Sequence, residues 1–509
     1  MMRRKILGDF QTPLPLAEQI VAFLQQQGLS WTRLLEPTCG KGNFIRAALH
    51  QQPQADIIGI ETQAEYVQQA RALAFPATAA SSAVRIYHES IFSLNLQQDL
   101  QWQSDGPLLV VGNPPWVTNA EQGALEGGNL PEKSNFKNFT GMDALTGKSN
   151  FDIAEYIWIQ LLESFAQIPG AIALLTKLST ARSVLKHCYD HHLPVNGLHL
   201  YKIDAQRWFN VAVEAGLLLV HRCADHPDYQ LQVYSSFEAS APEATVTIYQ
   251  DMVVADQKTL DHIEFIGGKS SLQWRQGVKH DAASVMELRR VDGAWHNKLG
   301  EVVNVEDEFI FPLFKSSDLR KRRPEIQKGL ILTQRFIGQD TAHLRQTAPR
   351  LWRYLDAHRP YFDARKSSIY RGKPSFTLFG VGDYTFSPYK VMVSGFYRPP
   401  YFVLVEPHDG KPVVCDDTCY LLPCDSLLQA TVASNALNHF VTMRYLDAVM
   451  FKDAKRPLTK TILDRINLAE LVRQIPPHEL LQSNQPLPGI ADQNLSALFS
   501  PQVEQLPLL

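Results

Sequence analysis

The chain has 509 residues, 45% of them hydrophobic, and its 49 Lys and Arg against 52 Asp and Glu give a net charge of −3. This length and composition predict two domains of ordinary size, each with its own core. The sequence shows no apolar run of membrane-spanning length, no secretory signal and only six scattered cysteines, so we expect a reduced, cytoplasmic protein without membrane contact.

Up to about residue 225, strand-like apolar runs alternate with amphipathic helical segments. In chain order the predicted elements are helix LAEQIVAFLQQQ, strand TRLLEP, helix NFIRAALHQ, strand ADIIGIE, helix AEYVQQARALA, strands VRIYHESIF and LLVVGNPPW, helix DIAEYIWIQLLESFA, and strands GAIALLTK and AGLLLVH. This alternation predicts an α/β fold with a doubly wound, mostly parallel sheet, whose ligands bind beyond the carboxyl ends of the strands.

The residue pattern changes from about residue 226, first to a polar stretch and then to aromatic, strand-like segments such as FSPYKVMVSG and YFVLVEP. Helices are predicted to return near residues 426 to 475. We therefore predict two domains, 1–262 and 263–509. The short spacings between Cys415, Cys419 and Cys424 have no second pair nearby, so we predict no metal site.

The segment LLEPTCGKGNF predicts a strand, a tight turn and a helix. Glu36 ends the strand, and Gly40 and Gly42 permit positive φ and close backbone approach to a ligand. Glu61 ends the following strand about 20 residues on, where an acid can receive two ribose hydroxyls. Because the glycines do not form GxGxxG, the pattern favours a nucleoside over a dinucleotide. An ordinary strand-to-helix turn would explain the glycines but not both acids.

A second strand, LLVVG, runs into Asn113, Pro114, Pro115 and Trp116. Neither proline can donate a ladder hydrogen bond, so the strand ends there with a stiff, polar tip.

Taken in order, GDFQTP, LLEPTCGKGNF, IIGIE, NPPW, SNFDIAEYI and RWFNVAVEAGLLLV resemble the motifs of the gamma-class adenine-N6 DNA methyltransferases of restriction-modification systems. In the second half, FPLFKSSDL, FSPYKVMVSG, DDTCYLLP and ASNALNHF resemble the target-recognition domain of that family. The resemblance implies a Rossmann-like catalytic domain that uses S-adenosyl-L-methionine, followed by a mixed α+β recognition domain. The implied reaction methylates the N6 amine of an adenine flipped out of duplex DNA.

The NPPW tip suits this chemistry. The exocyclic amine of adenine is a poor nucleophile because its lone pair is delocalised into the ring. The side-chain oxygen of Asn113 and the carbonyl of Pro114 can each accept a hydrogen from the amine, while the two prolines hold both acceptors rigid. Trp116 offers a face for the flipped base, and by resemblance Phe209 covers it from another side. Core packing is the alternative role for both rings.

The resemblance also assigns cofactor contacts. Thr12 contacts the methionine carboxylate, although Thr12 and Pro13 also form an ordinary helix start, and Ile91 packs against the adenine ring of the cofactor. Ser90 stands where the family usually has an aspartate, with Glu89 as the alternative. The predicted cofactor residues are Phe10, Thr12, Glu36, Pro37, Thr38, Gly40, Gly42, Phe44, Glu61, Ser90, Ile91 and Asn113.

A basic stretch occurs in the second half. Between Lys315 and Lys373, 15 Lys and Arg stand against 5 Asp and Glu, a local +10 that leaves −13 for the rest of the chain. Cations interleaved with aromatic residues are typical of nucleic-acid binding, although many charge runs are only solvated helix faces. As a group, the predicted phosphate contacts are Lys315, Arg320, Lys321, Arg322 and Arg323.

We expect duplex DNA as the partner, a separate restriction endonuclease since no nuclease signature is present, and a monomer. Cytosine-N4 methylation is the nearest alternative because it uses the same acceptor geometry. Methylation of RNA or of a protein glutamine is disfavoured by the large second domain. A non-catalytic DNA-binding subunit is disfavoured because Asn113, Pro114, Pro115 and Glu61 are intact.

Overall fold

The computed structural model describes residues 10–73, 84–117, 152–222, 225–321, 325–482 and 494–500. The chain divides into two compact units, Met1–Gln257 and Lys258–Leu509. The division lies five residues before the boundary of 262 that the sequence suggested. Within the described ranges, no helix combines the length and the apolar character needed to cross a bilayer.

A ten-stranded sheet forms the centre of the first unit. Its strands are β1 (Arg33–Glu36), β2 (Asp56–Glu61), β3 (Val84–His88), β4 (Leu108–Gly112), β5 (Gly170–Lys177), β6 (Val195–Ile203), β7 (Ala215–Arg222), β8 (Asp228–Tyr234), β9 (Ala244–Tyr249) and β10 (Met252–Val254). Their spatial order is β10-β9-β8-β6-β7-β5-β4-β1-β2-β3. The part from β3 to β5 is parallel, which confirms the predicted α/β fold, whereas β7 runs antiparallel to both β5 and β6.

Six helices are described in the first unit before the division. They are α1 (Leu14–Gln26), α2 (Asn43–Gln51), α3 (Ala64–Leu73), α4 (Ile153–Ser164), α5 (Leu178–Asp190) and α6 (Ala205–Phe209). Strands β2 and β4 are buried along their whole length, as expected for parallel strands covered on both faces. Apolar residues of α1 such as Leu16 and Ile20 pack into the same core as β1 and β4.

The register of the parallel strands sets the position of the site. Glu36 lies beside Gly59 of β2, and Leu35 lies beside Val110 of β4. The ends of β1, β2 and β4 therefore meet at one edge of the sheet. The turn after β1, the acid that ends β2 and the NPPW tip all follow from this edge.

Several elements of the first unit were not predicted. Helix α5 and strand β6 lie between the predicted strands GAIALLTK and AGLLLVH. The polar stretch after residue 226 forms β8, β9 and β10, which extend the sheet through β6.

The second unit holds two smaller sheets. Its strands are β11 (Arg275–Gln276), β12 (Glu287–Val291), β13 (Ala294–His296), β14 (Ile310–Phe314), β15 (Lys328–Ile331), β16 (Tyr389–Ser394), β17 (Val403–Val405), β18 (Val414–Cys415) and β19 (Cys419–Cys424). One sheet has the order β13-β12-β15-β14-β18 and the other β11-β19-β16-β17. All pairs are antiparallel except β14 with β18.

Mostly short helices accompany these sheets. They are α7 (Gln257–Asp261, at the division), α8 (Ala283–Met286), α9 (Ser316–Leu319), α10 (Leu344–Thr347), α11 (Pro349–Ala357), α12 (Arg359–Asp363), α13 (Asp383–Phe386), α14 (Leu427–Asn438), α15 (Phe440–Val449), α16 (Lys460–Leu463), α17 (Leu468–Gln474) and α18 (Pro477–Leu480). Helices α14 to α17 occupy the region near residues 426 to 475 where helices were predicted. The second unit is therefore a mixed α+β structure.

Candidate active site

The carboxylate of Glu61 holds the glycine turn against the end of β2. One oxygen, Oε2, accepts a hydrogen bond from the backbone N–H of Gly40 at 2.9 Å. The other, Oε1, accepts from the N–H of Gln63 at 2.8 Å and from the Thr62 hydroxyl at 3.3 Å. Gly40 and Gly42 have φ of 52° and 82°, the left-handed region that favours glycine. Glu61 thus has a structural role besides any contact with a ligand.

Glu36 lies deeper at the same edge. Only 3% of the residue is exposed, and its Oε2 accepts a hydrogen bond from the backbone N–H of Ile45 at 3.3 Å. Burial raises the pKa of Glu36 well above its usual range, against the effect of the Ile45 N–H, and the nearby Glu61 raises it further. A carboxyl at this position can accept a hydrogen bond from a ligand, and its protonated form can also donate one.

The segment before α1 packs against the glycine turn. Oε1 of Gln11 accepts a hydrogen bond from the N–H of Lys41 at 3.1 Å, and the Asn43 side chain donates to the carbonyl of Thr12 at 2.8 Å. A Cβ at Gly40 would stand 2.2 Å from Oε1 of Gln11, so a side chain there would displace the Gln11 amide from this position. Gln11 and Asn43 were absent from the predicted set, although both lie inside quoted motifs, GDFQTP and LLEPTCGKGNF.

Asn113 follows the last residue of β4 with a fixed orientation. Its Nδ2 donates to the carbonyl of Phe10 at 2.9 Å. Because a carbonyl can only accept, the amide nitrogen must face Phe10 and Oδ1 must point elsewhere. Among the described residues, Oδ1 has no hydrogen-bond partner although it is buried. The backbone carbonyl of Asn113 accepts from the Thr38 hydroxyl at 3.5 Å.

A small polar pocket lies beside these groups. Its lining residues are Phe10, Gln11, Thr12, Glu36, Thr38, Cys39, Asn43, Phe44 and Asn113. Thr12 resembles Asn113 in carrying a buried side-chain oxygen with no partner in the described structure. Two unpaired side-chain oxygens beside a buried carboxyl fit a polar ligand, since such groups are costly to leave unsatisfied.

The pocket gathers six of the predicted cofactor residues, Phe10, Thr12, Glu36, Thr38, Phe44 and Asn113. Gly40, Gly42 and Glu61 form the adjoining turn, and Cδ of Pro37 would lie 3.4 Å from a Cβ at Gly112.

Ser90 and Ile91 do not line this pocket. The Ser90 hydroxyl accepts from the N–H of Phe92 at 3.2 Å, and the carbonyl of Ile91 accepts from the Gln160 side chain at 2.9 Å.

Three aromatic rings surround the tip. Trp116 lies 6.4 Å from Phe10 and 5.5 Å from Phe209 between ring centroids, and Phe10 lies 6.3 Å from Phe209. The indole N–H of Trp116 donates to the carbonyl of Leu175 at 3.2 Å, which fixes the ring. Phe209 ends the helical turn α6, which stops at Asn210 in the left-handed conformation. Trp116 and Phe209 are 7% and 8% exposed, so core packing is part of their role.

The predicted phosphate contacts have different environments in the second unit. The ammonium of Lys315 lies 2.7 Å from Glu287 and 3.3 Å from Asp416, and both carboxylates are buried. Lys315 is thus engaged in internal ion pairs, which argues against its assignment to phosphate. Arg320 and Lys321 are exposed, and the guanidinium of Arg320 lies 5.4 Å from the Tyr397 ring centroid. The predicted contacts Arg322 and Arg323 lie outside the described residues.

Comparison with known proteins identifies the family. No family model matches the chain. The Type II methyltransferase M.NspV of Nostoc sp. is 36% identical over 484 residues, which cover 92% of this chain and 97% of the relative.

Two solved structures show weaker similarity. The Type IIL restriction-modification enzyme MmeI in complex with DNA has 12% identity and a TM-score of 0.48 over 88% of this chain and 63% of its own. A methyltransferase from Pyrococcus furiosus has 13% identity and a TM-score of 0.25 over 40% of this chain and 82% of its own. The 36% identity to the Nostoc enzyme over almost the full length of both chains places this chain in the family of Type II DNA methyltransferases, which depend on S-adenosyl-L-methionine and serve restriction-modification systems.

Proposed function

We propose that the chain methylates the exocyclic N6 amine of an adenine flipped out of duplex DNA, in the manner of the gamma-class enzymes. The first unit is the catalytic domain and the second is the target-recognition domain. The enzyme acts as a monomer in the cytoplasm and modifies the sites that a separate restriction endonuclease would cut.

The observation that carries this proposal is the unpaired Oδ1 of Asn113. A buried acceptor without a partner costs about 1–3 kcal/mol, so its retention indicates a ligand that supplies the missing hydrogen. An exocyclic amine has two hydrogens, and the Pro114 carbonyl is the second acceptor. Both contacts draw the lone pair away from the ring and toward the incoming methyl group. The Phe10 carbonyl keeps the Asn113 oxygen on the substrate side.

The turn after β1 and the end of β2 fit the cofactor. Thr12 offers an unpaired side-chain oxygen, and Glu36 offers a buried carboxyl whose pKa is raised above its usual range. Oε2 of Glu61 accepts one hydrogen bond and retains acceptor capacity for a ribose hydroxyl, whereas Oε1 already accepts two. S-adenosyl-L-methionine, when bound, supplies an electrophilic methyl group on sulfur. Ser90 and Ile91 stay assigned to its adenine ring.

The aromatic cluster of Phe10, Trp116 and Phe209 supports binding of a base at the tip. Because Trp116 and Phe209 are almost covered in this structure, a base that stacks on either ring replaces a protein neighbour. Phe10 is only half-buried and contacts both rings, so it is the neighbour to be displaced.

Cytosine-N4 methylation is the second candidate, because the acceptor pair at the tip suits either amine. The discriminating experiment incubates the protein with labelled S-adenosyl-L-methionine and mixed-sequence duplex DNA, then digests the DNA and identifies the methylated nucleoside by mass spectrometry. N6-methyl-2′-deoxyadenosine is expected, and N4-methyl-2′-deoxycytidine would keep the mechanism and change the base.

An Asn113→Ala sample is run alongside, since it removes the acceptor and the bond to Phe10. We expect transfer to fall by a factor of about 10² or more while cofactor affinity stays within about threefold. Turnover retained by Asn113→Ala would overturn the acceptor model. Absence of labelled DNA with the intact protein would overturn the proposed substrate.

A further inference from the structure

The second unit presents an exposed apolar tip inside its basic stretch. Phe336 and Ile337 are 57% and 42% exposed, and among the described residues they are the only large, exposed hydrophobic side chains that are adjacent in sequence. Gly338 follows with φ of 87°, and a Cβ there would meet no atom within 4 Å. The pair therefore stands at the end of a loop, facing open space.

The loop under the tip is held by side-chain hydrogen bonds. Gln334 is 3% exposed, and its amide donates to the carbonyl of Gln339 at 2.6 Å and accepts from the N–H of Leu378 at 2.6 Å. Oε1 of Gln339 in turn accepts from the N–H of Arg335 at 2.6 Å. Because both glutamines act within the loop, the apolar tip is pre-organised.

Both ends of the loop are hydrogen-bonded to the segment 375–378. The hydroxyl of Thr333 donates to the carbonyl of Phe376 at 2.9 Å, and the hydroxyl of Thr341 donates to the carbonyl of Ser375. Both threonines are almost fully buried. Hydrogen bonds at both ends of the loop and across its middle hold it in one conformation.

Arginines surround this support. The guanidinium of Arg335 lies 4.3 Å from the Phe386 ring centroid, Arg359 donates to the Ser375 hydroxyl at 3.0 Å, and Arg365 donates to the carbonyl of Thr377 at 2.8 Å. The exposed acid of the loop, Asp340, accepts from the N–H of Ala342 at 2.9 Å. The tip thus belongs to the stretch with a local +10, whose charge suits a polyanion.

We propose that Phe336 and Ile337 form an intercalating tip that inserts between base pairs at the recognised sequence and eases extrusion of the target base. Apolar side chains that enter DNA in this way unstack a base step while neighbouring cations hold the phosphates. The proposal rests on the proposed function, because an enzyme that flips a base must overcome stacking and pairing. A pre-organised apolar tip lowers the free energy needed to flip the base without touching the reacting atoms.

The test compares Phe336→Ala and Ile337→Ala with Phe440→Ala, a matched control that is also an exposed phenylalanine (65%) in the second unit but outside the basic stretch. Methyl transfer is measured on a duplex containing the mapped site and on the same duplex with a mismatch opposite the target base. A mismatch lowers the free energy needed to flip the base, so the target base can be flipped without help from the intercalating tip.

We expect Phe336→Ala to lower kcat/KM on the matched duplex by about tenfold or more. On the mismatched duplex, kcat/KM of the variant should lie within about threefold of that of the intact protein. Ile337→Ala should show the same pattern, and Phe440→Ala should match the intact protein on both duplexes. All three should keep the melting temperature and the cofactor affinity, since these side chains are exposed.

Other outcomes overturn the proposal. Equal losses on both duplexes would assign the tip to general DNA affinity, and unchanged rates would remove it from the DNA interface. Conversion of a dimer to a monomer with unchanged transfer would make the tip a protein contact. If the intact protein methylates no DNA, the proposed function itself fails, which is distinct from variants that behave like an active parent.

Discussion

Replacing Glu61 tests whether one carboxylate both braces the glycine turn and binds the cofactor. Its two oxygens accept the N–H groups of Gly40 and Gln63 at 2.9 and 2.8 Å in a site that is 8% exposed. Glu61→Gln keeps the shape but presents one oxygen and one NH2 group, so only one of the two N–H groups keeps an acceptor.

The expected cost follows from these contacts. Leaving one buried N–H without an acceptor costs about 1–3 kcal/mol, and Glu61→Ala leaves two such groups, so about 2–6 kcal/mol of stability should be lost. If the carboxylate also receives the ribose hydroxyls, Glu61→Gln removes charge-assisted hydrogen bonds to the cofactor, which are worth about 1.5–3 kcal/mol each. This loss should weaken S-adenosyl-L-methionine binding by a factor of about 10 to 100.

Two measurements separate the roles. Calorimetry gives cofactor affinity, and thermal unfolding with and without cofactor gives stability and its increase on binding. Glu65→Gln is the matched control, because Glu65 is an exposed acid at the start of α3. Lower stability with unchanged affinity would leave Glu61 a purely structural residue. Unchanged stability and unchanged affinity together would refute the geometry described for the turn.

Two further predictions concern the second unit. Burial alone would raise the pKa of Glu287, but hydrogen bonds from His280, Lys298 and Lys315, together with the charge of Lys315, hold it well below its usual range. The stabilising effect of the Glu287 carboxylate is therefore present above the usual carboxyl pKa and is lost as pH falls below it. Glu287→Gln should lower the free energy of unfolding by about 2–4 kcal/mol at neutral pH and by progressively less below about pH 4.5. Denaturant titration at several pH values measures this difference. Reversing Arg320 and Lys321 to Glu should weaken DNA binding and lower the slope of log affinity against log salt by about 2, whereas Lys452→Glu, outside the basic stretch, should leave the slope unchanged.

The sequence predicted best where local pattern and burial agree. Helix α2, Asn43–Gln51, and strand β5, Gly170–Lys177, have the predicted bounds because each is a compact apolar pattern bordered by glycine or polar residues. Helix α5 was missed even though its buried residues, including Leu178, Ala181 and Leu185, recur with helical spacing. Strand β8 was missed because it lies toward the sheet edge and exposes much of its polar side.

The candidate site was only partly visible for a different reason. A motif identifies residues that neighbour one another in sequence, and here it pointed to Asn113, Glu61 and the glycines. It could not show that the carbonyl of Phe10 orients Asn113 from 103 residues away. Similarly, a count of charges could not show that Lys315 is paired with Glu287 across 28 residues, which removes it from the free cations.

We expect base selection to depend on the aromatic cluster of Phe10, Trp116 and Phe209 more than on the acceptors of Asn113 and Pro114. Adenine and cytosine both carry an exocyclic amine beside a ring nitrogen, so two acceptors at Asn113 and Pro114 serve either base. The bases differ in ring size, and the surfaces that sense ring size are the faces of Phe10, Trp116 and Phe209. Because the bond to the Leu175 carbonyl fixes Trp116, we expect discrimination to depend on the two phenylalanines, of which Phe10 is the more exposed. A methylated cytosine would therefore change the interpretation of these rings and leave the acceptor geometry intact.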